Sequence, residues 1–211
     1  MSGRYHSWSK KSDTYLLGER YQPDQRSMFQ QELKKVLWFT YREGFSILPC
    51  SDPRRNSYSS DRGWGCMIRA GQMMLSEVLK RNIFTINGEY HTGLVEHSLF
   101  KICEYFSDLN KNPEETPFSI HNVCAEALQK LRKEPGTWYT CSSIVCMLTS
   151  LLEKYEERFM EIRLKTVLYT EGVIFEDELL EKVSMPKKNL TMFESKRLNS
   201  KEEESKEPVQ R

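Results

Sequence analysis

Two glycines and a tryptophan deliver a cysteine to the predicted start of a helix. The segment runs from Asp61 to Arg69 with the sequence DRGWGCMIR, and Cys66 directly follows the Gly-Trp-Gly turn. A thiol at a helix N-terminus faces the positive end of the helix dipole and unpaired N–H groups, which favour the thiolate. The same N–H groups can bind an oxyanion during acyl transfer. The pattern indicates a nucleophile; the alternative is a buried structural thiol, the ordinary state of a free cysteine.

Helical periodicity predicts the elements that would position Cys66. The segment after Ser27, taken as an N-cap, is predicted to be a helix that ends in the pair Tyr41-Arg42. A second helix is predicted to begin at Cys66 and to reach Lys80. Its buried face is predicted to carry the apolar residues Met67, Ala70, Met74, Leu75 and Val78.

The rest of the chain predicts three more helices and little strand. The helices are expected over residues 94–106, 120–131 and 142–159. Ser119 is the predicted N-cap of the second of them. Residues 164–175 are the best strand or hairpin candidate, because they are rich in β-branched and aromatic side chains. After Pro186 the low apolar content and dense mixed charge indicate disorder, because little surface is available to offset the ordering entropy.

Composition excludes several classes of function. Lys and Arg total 31 against 30 Asp and Glu, so there is no general electrostatic reason to expect nucleic acid as a partner. The six cysteines form no CxxC pair, which favours reduced thiols and a cytoplasmic protein. The cysteines and histidines lack zinc-ligand spacing, so no metal site is expected. No other cofactor is expected either. We find no signal-peptide core and no apolar stretch of membrane-spanning length.

Five motifs, taken together, carry a family resemblance. The central pair is WFTYR at 38–42 and SDRGWGCMIRAGQM at 60–73. The other three are Leu17-Gly18 followed by Tyr21, FSIH at 118–121 and GTWY at 136–139. In this order they resemble the autophagins, the papain-like cysteine proteases of autophagy, over roughly residues 15–155.

The resemblance implies a fold and a domain organisation. The implied class is α/β, more closely α+β: a papain-like cysteine protease fold, represented here by its N-terminal helical half with an incomplete central sheet. Residues 14–186 would be this nucleophile-bearing part of the protease domain. Residues 1–13 are expected to form a flexible N-terminal arm and residues 187–211 a disordered, charged C-terminal tail.

The resemblance also implies roles for three residues. Cys66 would be the attacking thiolate, and Tyr41 would supply its hydroxyl to the oxyanion hole. Trp138 would flank the entrance where the C-terminal glycine of the substrate lies. Without the family, Tyr41 and Trp138 would be interpreted as core aromatic residues.

The implied substrate is a ubiquitin-like autophagy modifier of the GABARAP-like kind. The family cleaves such modifiers after their C-terminal glycine and releases them from phosphatidylethanolamine. A monomer is expected, and any membrane association would be indirect, through a lipidated substrate.

One expected part of the catalytic unit does not occur in the sequence. In the autophagins the general base and its orienting carboxylate come from an Asp-Pro-His segment, whereas here Asp52-Pro53 is followed by Arg54. One alternative is therefore a catalytically incomplete fragment or isoform that acts at most as a modifier-binding module. Another is a helical adaptor unrelated to proteases, which would leave the joint motif as coincidence.

Overall fold

A short hairpin and a helix come first in the described part of the chain. The computed structural model describes residues 12–48, 50, 57–86, 89–90, 95–109, 112–156, 166–169 and 172–184. Strands β1 (Thr14–Leu16) and β2 (Glu19–Tyr21) pair antiparallel, and helix α1 spans Arg26–Lys34. Tyr21 packs edge-on against Phe29 with ring centroids 5.5 Å apart, so the helix is joined to the hairpin through aromatic contact.

The helix after Ser27 is shorter than predicted. It begins after Gln25 rather than Ser27 and ends at Lys34, so Tyr41 and Arg42 lie on irregular chain that leads into the next strand. The segment from 36 to 41 is rich in β-branched and aromatic residues, which weakens its helix preference. Phe39 is buried against Phe106, with ring centroids 4.9 Å apart, so tertiary packing outweighs the helical periodicity.

The strands of the described residues form hairpins rather than one larger sheet. Strand β3 (Glu43–Leu48) pairs antiparallel with β4 (Tyr58–Ser60), and β5 (Thr85–Ile86) pairs with β6 (Glu89–Tyr90). Together with β1 and β2 these give three two-stranded sheets.

Helices dominate the rest of the fold. They are α2 (Cys66–Phe84), α3 (Val95–Tyr105), α4 (Ile120–Leu131), α5 (Cys141–Lys154) and α6 (Glu176–Ser184). The predictions for α3 and α4 are confirmed, and the Ser119 hydroxyl caps α4 by accepting the Asn122 N–H. Helix α5 starts one residue earlier than predicted, after a Thr140 cap, and ends at Lys154.

The core surrounds α2, which packs against α3 and α5, while α5 also packs against α4. On α2 the buried apolar residues are Ile68, Leu75 and Leu79. The predicted buried face is therefore wrong for Ala70, Met74 and Val78, which are exposed; Met74 is 50% exposed. The helix carries two apolar stripes at helical spacing, and periodicity cannot choose between them. The stripe of Ile68, Leu75 and Leu79 is the one that joins the hydrophobic core.

The predicted strand at 164–175 is not formed in its described parts. Residues 166–169 and 172–175 are irregular, and α6 follows them. The predicted tail at 187–211 and all but two residues of the predicted arm at 1–13 lie outside the described residues. In the described part of the chain, no helix has both the length and the apolar character that a membrane crossing requires.

Candidate active site

The turn that leads into α2 is built on backbone hydrogen bonds to one residue. The Asp61 carbonyl accepts the N–H groups of Trp64, at 3.2 Å, and of Gly65, at 2.8 Å. Trp64 is buried, and its Nε1 donates to the Ser60 carbonyl at 3.0 Å. Cys66 is then the first residue of α2, and its side chain is exposed. An anchored turn therefore presents an accessible thiol at a helix N-terminus.

The Tyr41 hydroxyl lies beside the Cys66 thiol. Desolvation by surrounding atoms raises the pKa of Tyr41, and the charge of Cys66 and a hydrogen bond to its side chain raise it further. The negative charge of Asp61 acts in the same direction on this pKa. A tyrosine hydroxyl is protonated at neutral pH and can donate a hydrogen bond.

Trp138 lies at the same turn. Its side chain is 78% exposed, and its Nε1 donates to the Gly63 carbonyl at 3.2 Å. The Trp138 carbonyl in turn accepts a hydrogen bond from Lys133 at 3.2 Å. The alternative interpretation of Trp138 as a core anchor is therefore wrong, and so is that of Tyr41, which is 46% exposed. All three sequence-predicted site residues meet at one turn.

A buried network of charged residues supports the turn, and sequence reasoning did not single it out. Arg69 donates through Nε to Asp61 at 2.8 Å and pairs through Nη1 with Asp108 at 2.8 Å. Arg42 pairs with the same Asp108 oxygen at 2.7 Å. Arg69, Asp61 and Asp108 are all buried. A signal was available, because Arg69 and Gln72 fall on the buried α2 stripe with Ile68 and Leu75, where polar residues need partners.

His121 contacts two residues of β3. Its Nε2 lies 2.8 Å from the Ser46 carbonyl, and its ring packs edge-on against Phe45. His6 and His91 are outside the described residues. Among the residues that the structure does describe, no cluster of His, Cys, Asp or Glu is arranged to hold a metal ion.

Comparison with known proteins gives the family. The model of the peptidase C54 catalytic domain matches residues 26–209. The chain belongs to the peptidase C54 family.

Individual relatives are fungal cysteine proteases. The "Cysteine protease ATG4" of Pyricularia oryzae is 28% identical over 174 residues, which cover 72% of this chain and 33% of that protein. The "Probable cysteine protease ATG4" of Pichia angusta is 27% identical over 199 residues, which cover 82% of this chain and 38% of that protein. The peptidase C54 chain therefore spans about a third of the length of these relatives.

The cysteines of this peptidase C54 chain provide internal controls for reactivity. Cys141 is also exposed and also begins a helix, whereas Cys124 is buried. Burial raises the pKa of the Cys124 thiol to about 12, although a hydrogen bond from Tyr139 partly opposes the rise.

We expect iodoacetamide at pH 8 to label Cys66 and Cys141 at least about tenfold faster than Cys124, because only thiolates react and the buried thiol stays protonated. Peptide mass spectrometry at timed intervals measures the three rates. A Cys66 rate that clearly exceeds the Cys141 rate would show that the turn adds reactivity beyond the helix terminus. Equal labelling of all three thiols would contradict a special site.

Proposed function

We propose that this chain carries the nucleophile-bearing part of a cysteine endopeptidase that cleaves ubiquitin-like autophagy modifiers after their C-terminal glycine. One observation carries the proposal. Cys66, Tyr41 and Trp138 are distant in sequence, yet the Cys66 turn contacts both aromatic side chains. The family match and the relatives named cysteine proteases support it. The same proposal includes a papain-like fold and a cytoplasmic monomer.

The chemistry follows from the positions of the three groups. The Cys66 thiolate attacks the carbonyl carbon of the substrate glycine, and the carbonyl π electrons move onto oxygen. The Tyr41 hydroxyl and the N–H groups at the start of α2 donate to that oxyanion. The intermediate collapses to a thioester and expels the amine, which must take up a proton. Water then hydrolyses the thioester and regenerates Cys66.

The exposed Trp138 indole suggests the reason for a glycine requirement. A large planar ring beside the turn narrows the approach to Cys66, so a residue without a side chain at the cleavage point passes most easily. The same thioester chemistry applies when the amine is that of phosphatidylethanolamine, which makes delipidation part of the proposal.

Proton delivery to the leaving amine needs a group that this sequence does not supply in the family's form. No Asp-Pro-His occurs in residues 1–211. This observation also favours a second candidate function, a module that binds the modifier without cleaving it.

A modifier that carries an electrophile tests the first function against the second. The probe is a modifier ending in glycine whose carboxyl group is replaced by a vinyl methyl ester. We expect a covalent adduct at Cys66, because the thiolate can add to the alkene without expelling an amine. Mass spectrometry of the intact chain and its peptides measures the adduct.

The control variants distinguish the outcomes. Cys66→Ala should give no adduct, while Cys141→Ala, which removes the other helix-terminal thiol, should match the unmodified chain. Trp138→Ala should slow the reaction by roughly tenfold, the effect of about 1.4 kcal/mol of lost positioning. Binding of the modifier without any adduct would favour the binding module, and equal modification of Cys66 and Cys141 would refute a dedicated site.

A further inference from the structure

Two separate chain segments must be aligned for Tyr41 to reach Cys66. Tyr41 lies on irregular chain before β3, and Cys66 comes 25 positions later, directly after a turn. Tyr41 itself is 46% exposed, so packing of its ring contributes little to its position. Something other than the tyrosine ring must therefore hold the two segments in register.

Asp61 contacts both segments next to the two functional residues. Its Oδ1 accepts the Arg42 N–H at 2.6 Å, and its own N–H donates to the Arg42 carbonyl at 3.2 Å. The Arg42 N–H belongs to the peptide unit that joins it to Tyr41. The Asp61 carbonyl accepts the Gly65 N–H at 2.8 Å, one residue before Cys66. The hydrogen bonds of Asp61 thus fix the backbone next to Tyr41 and the backbone next to Cys66.

The second carboxylate oxygen is tied to the helix that carries Cys66. Arg69, in the first turn of α2, donates through Nε to Asp61 Oδ2 at 2.8 Å. Asp61 is fully buried, so water does not compete for these bonds. A Cβ on Gly65 would come within 2.3 Å of Oδ2, so the glycine is what allows the carboxylate to lie this close.

We propose that Asp61 is a positioning residue that holds the Tyr41 hydroxyl in register with the Cys66 thiol. The negative charge of Asp61 matters as well as its shape, because each of its carboxylate oxygens faces a hydrogen-bond donor. An asparagine could accept from Arg42 or from Arg69, but its amide group would then face the other donor. The role bears on catalysis through the proposed function, but it can be tested without any cleavage.

The alternative is that Asp61 only stabilises the fold. A double-mutant cycle separates the two, because coupled residues deviate from additivity and independent ones do not. The four chains are the unmodified protein, Tyr41→Phe, Asp61→Asn and the double variant. The measured quantity is the iodoacetamide rate at Cys66, with Cys141 as the control thiol and Cys124 as the reporter of an intact core.

If Asp61 positions Tyr41, Tyr41→Phe should change the Cys66 rate by roughly threefold or more in the unmodified chain and by almost nothing in Asp61→Asn. The Cys141 rate should stay constant in all four chains. The Tyr41 ring carbon resonances should also shift when Cys66 is alkylated in the unmodified chain but not in Asp61→Asn. A purely structural role would leave both the Tyr41 effect and the resonance shift unchanged, and that result would overturn the proposal.

Two further variants keep the test decisive. Asp13→Asn removes a half-buried carboxylate that pairs with the exposed Arg20, and it should leave the Tyr41 effect intact. If Cys124 becomes reactive in Asp61→Asn, the core of that variant has opened. Gly65→Ala then takes the place of Asp61→Asn in the cycle, because the added methyl group would displace the Asp61 carboxylate. An undiminished Tyr41 effect in a folded Gly65→Ala chain would count against the role. If Asp61→Asn removes the Tyr41→Phe effect but the unmodified chain forms no vinyl-ester adduct, only the proposed function is refuted.

Discussion

Residues 1–211 alone are expected to cleave an amide bond after the modifier's glycine on the order of a thousandfold, or more, slower than a chain extended through an Asp-Pro-His segment. Removing members of a catalytic unit leaves only the acceleration from binding and oxyanion stabilisation. Here the leaving amine departs without a positioned acid. Gel-based cleavage of a modifier with a C-terminal fusion partner, at matched enzyme concentrations, measures the difference.

The leaving group provides the sharpest control for this expectation. A glycine thioester expels a thiolate, which needs no proton, so the chain should be acylated by it far more efficiently than by the amide. Cys66→Ala should abolish that acylation, and Cys141→Ala should not. Efficient, Cys66-dependent cleavage of the amide would show that a histidine within the chain, such as His91, His97 or His121, acts as the base.

Arg69→Met is expected to lower the free energy of unfolding by roughly 3–5 kcal/mol, the usual effect of removing one partner from a buried ionic network. Arg69 is 3% exposed and bonds to Asp61 and Asp108. Its loss leaves both carboxylates short of a donor in a region that water does not reach. Urea unfolding followed by far-UV circular dichroism measures the change.

Arg20→Met is the matched control for this variant. Arg20 also pairs with a carboxylate at 2.7 Å, that of Asp13, but its side chain is 59% exposed. Exposed pairs contribute about 0–1 kcal/mol, so the urea midpoint should barely move. Similar midpoints for the two variants would mean that the buried network does not stabilise the fold.

The sequence predicts the local features of the site better than its long-range ones. The start of α2 at Cys66 and the Ser119 cap of α4 follow from a glycine-rich turn and a hydroxyl at the N-cap position, signals that act over a few residues. The end of α1 was missed because Phe39 leaves the helical path to reach Phe106, far along the chain. Helical spacing contains no information about such a partner.

The same distinction explains what was missed in the candidate site. The resemblance assigned Cys66, Tyr41 and Trp138, and all three lie at one turn, while their chemical roles remain predictions. The network of Asp61, Arg69 and Asp108 depends on contacts between segments that no local pattern predicts. The exposed stripe of α2 is a related case, because two apolar faces on one helix leave burial to be decided by neighbours.

The buried charges also bear on the order in which the molecule can assemble. Arg42 and Asp108 are 66 positions apart, whereas α4 and α5 are neighbours along the chain and can dock after closing a short loop. The entropy of closing a loop rises with its length, and folds rich in distant contacts form more slowly. The network beneath Cys66 therefore depends on a loop closure of 66 positions, much longer than the one that brings α4 and α5 together. We expect the reactive turn to acquire its shape late in folding, after the segments that contain Arg42 and Asp108 have been brought together.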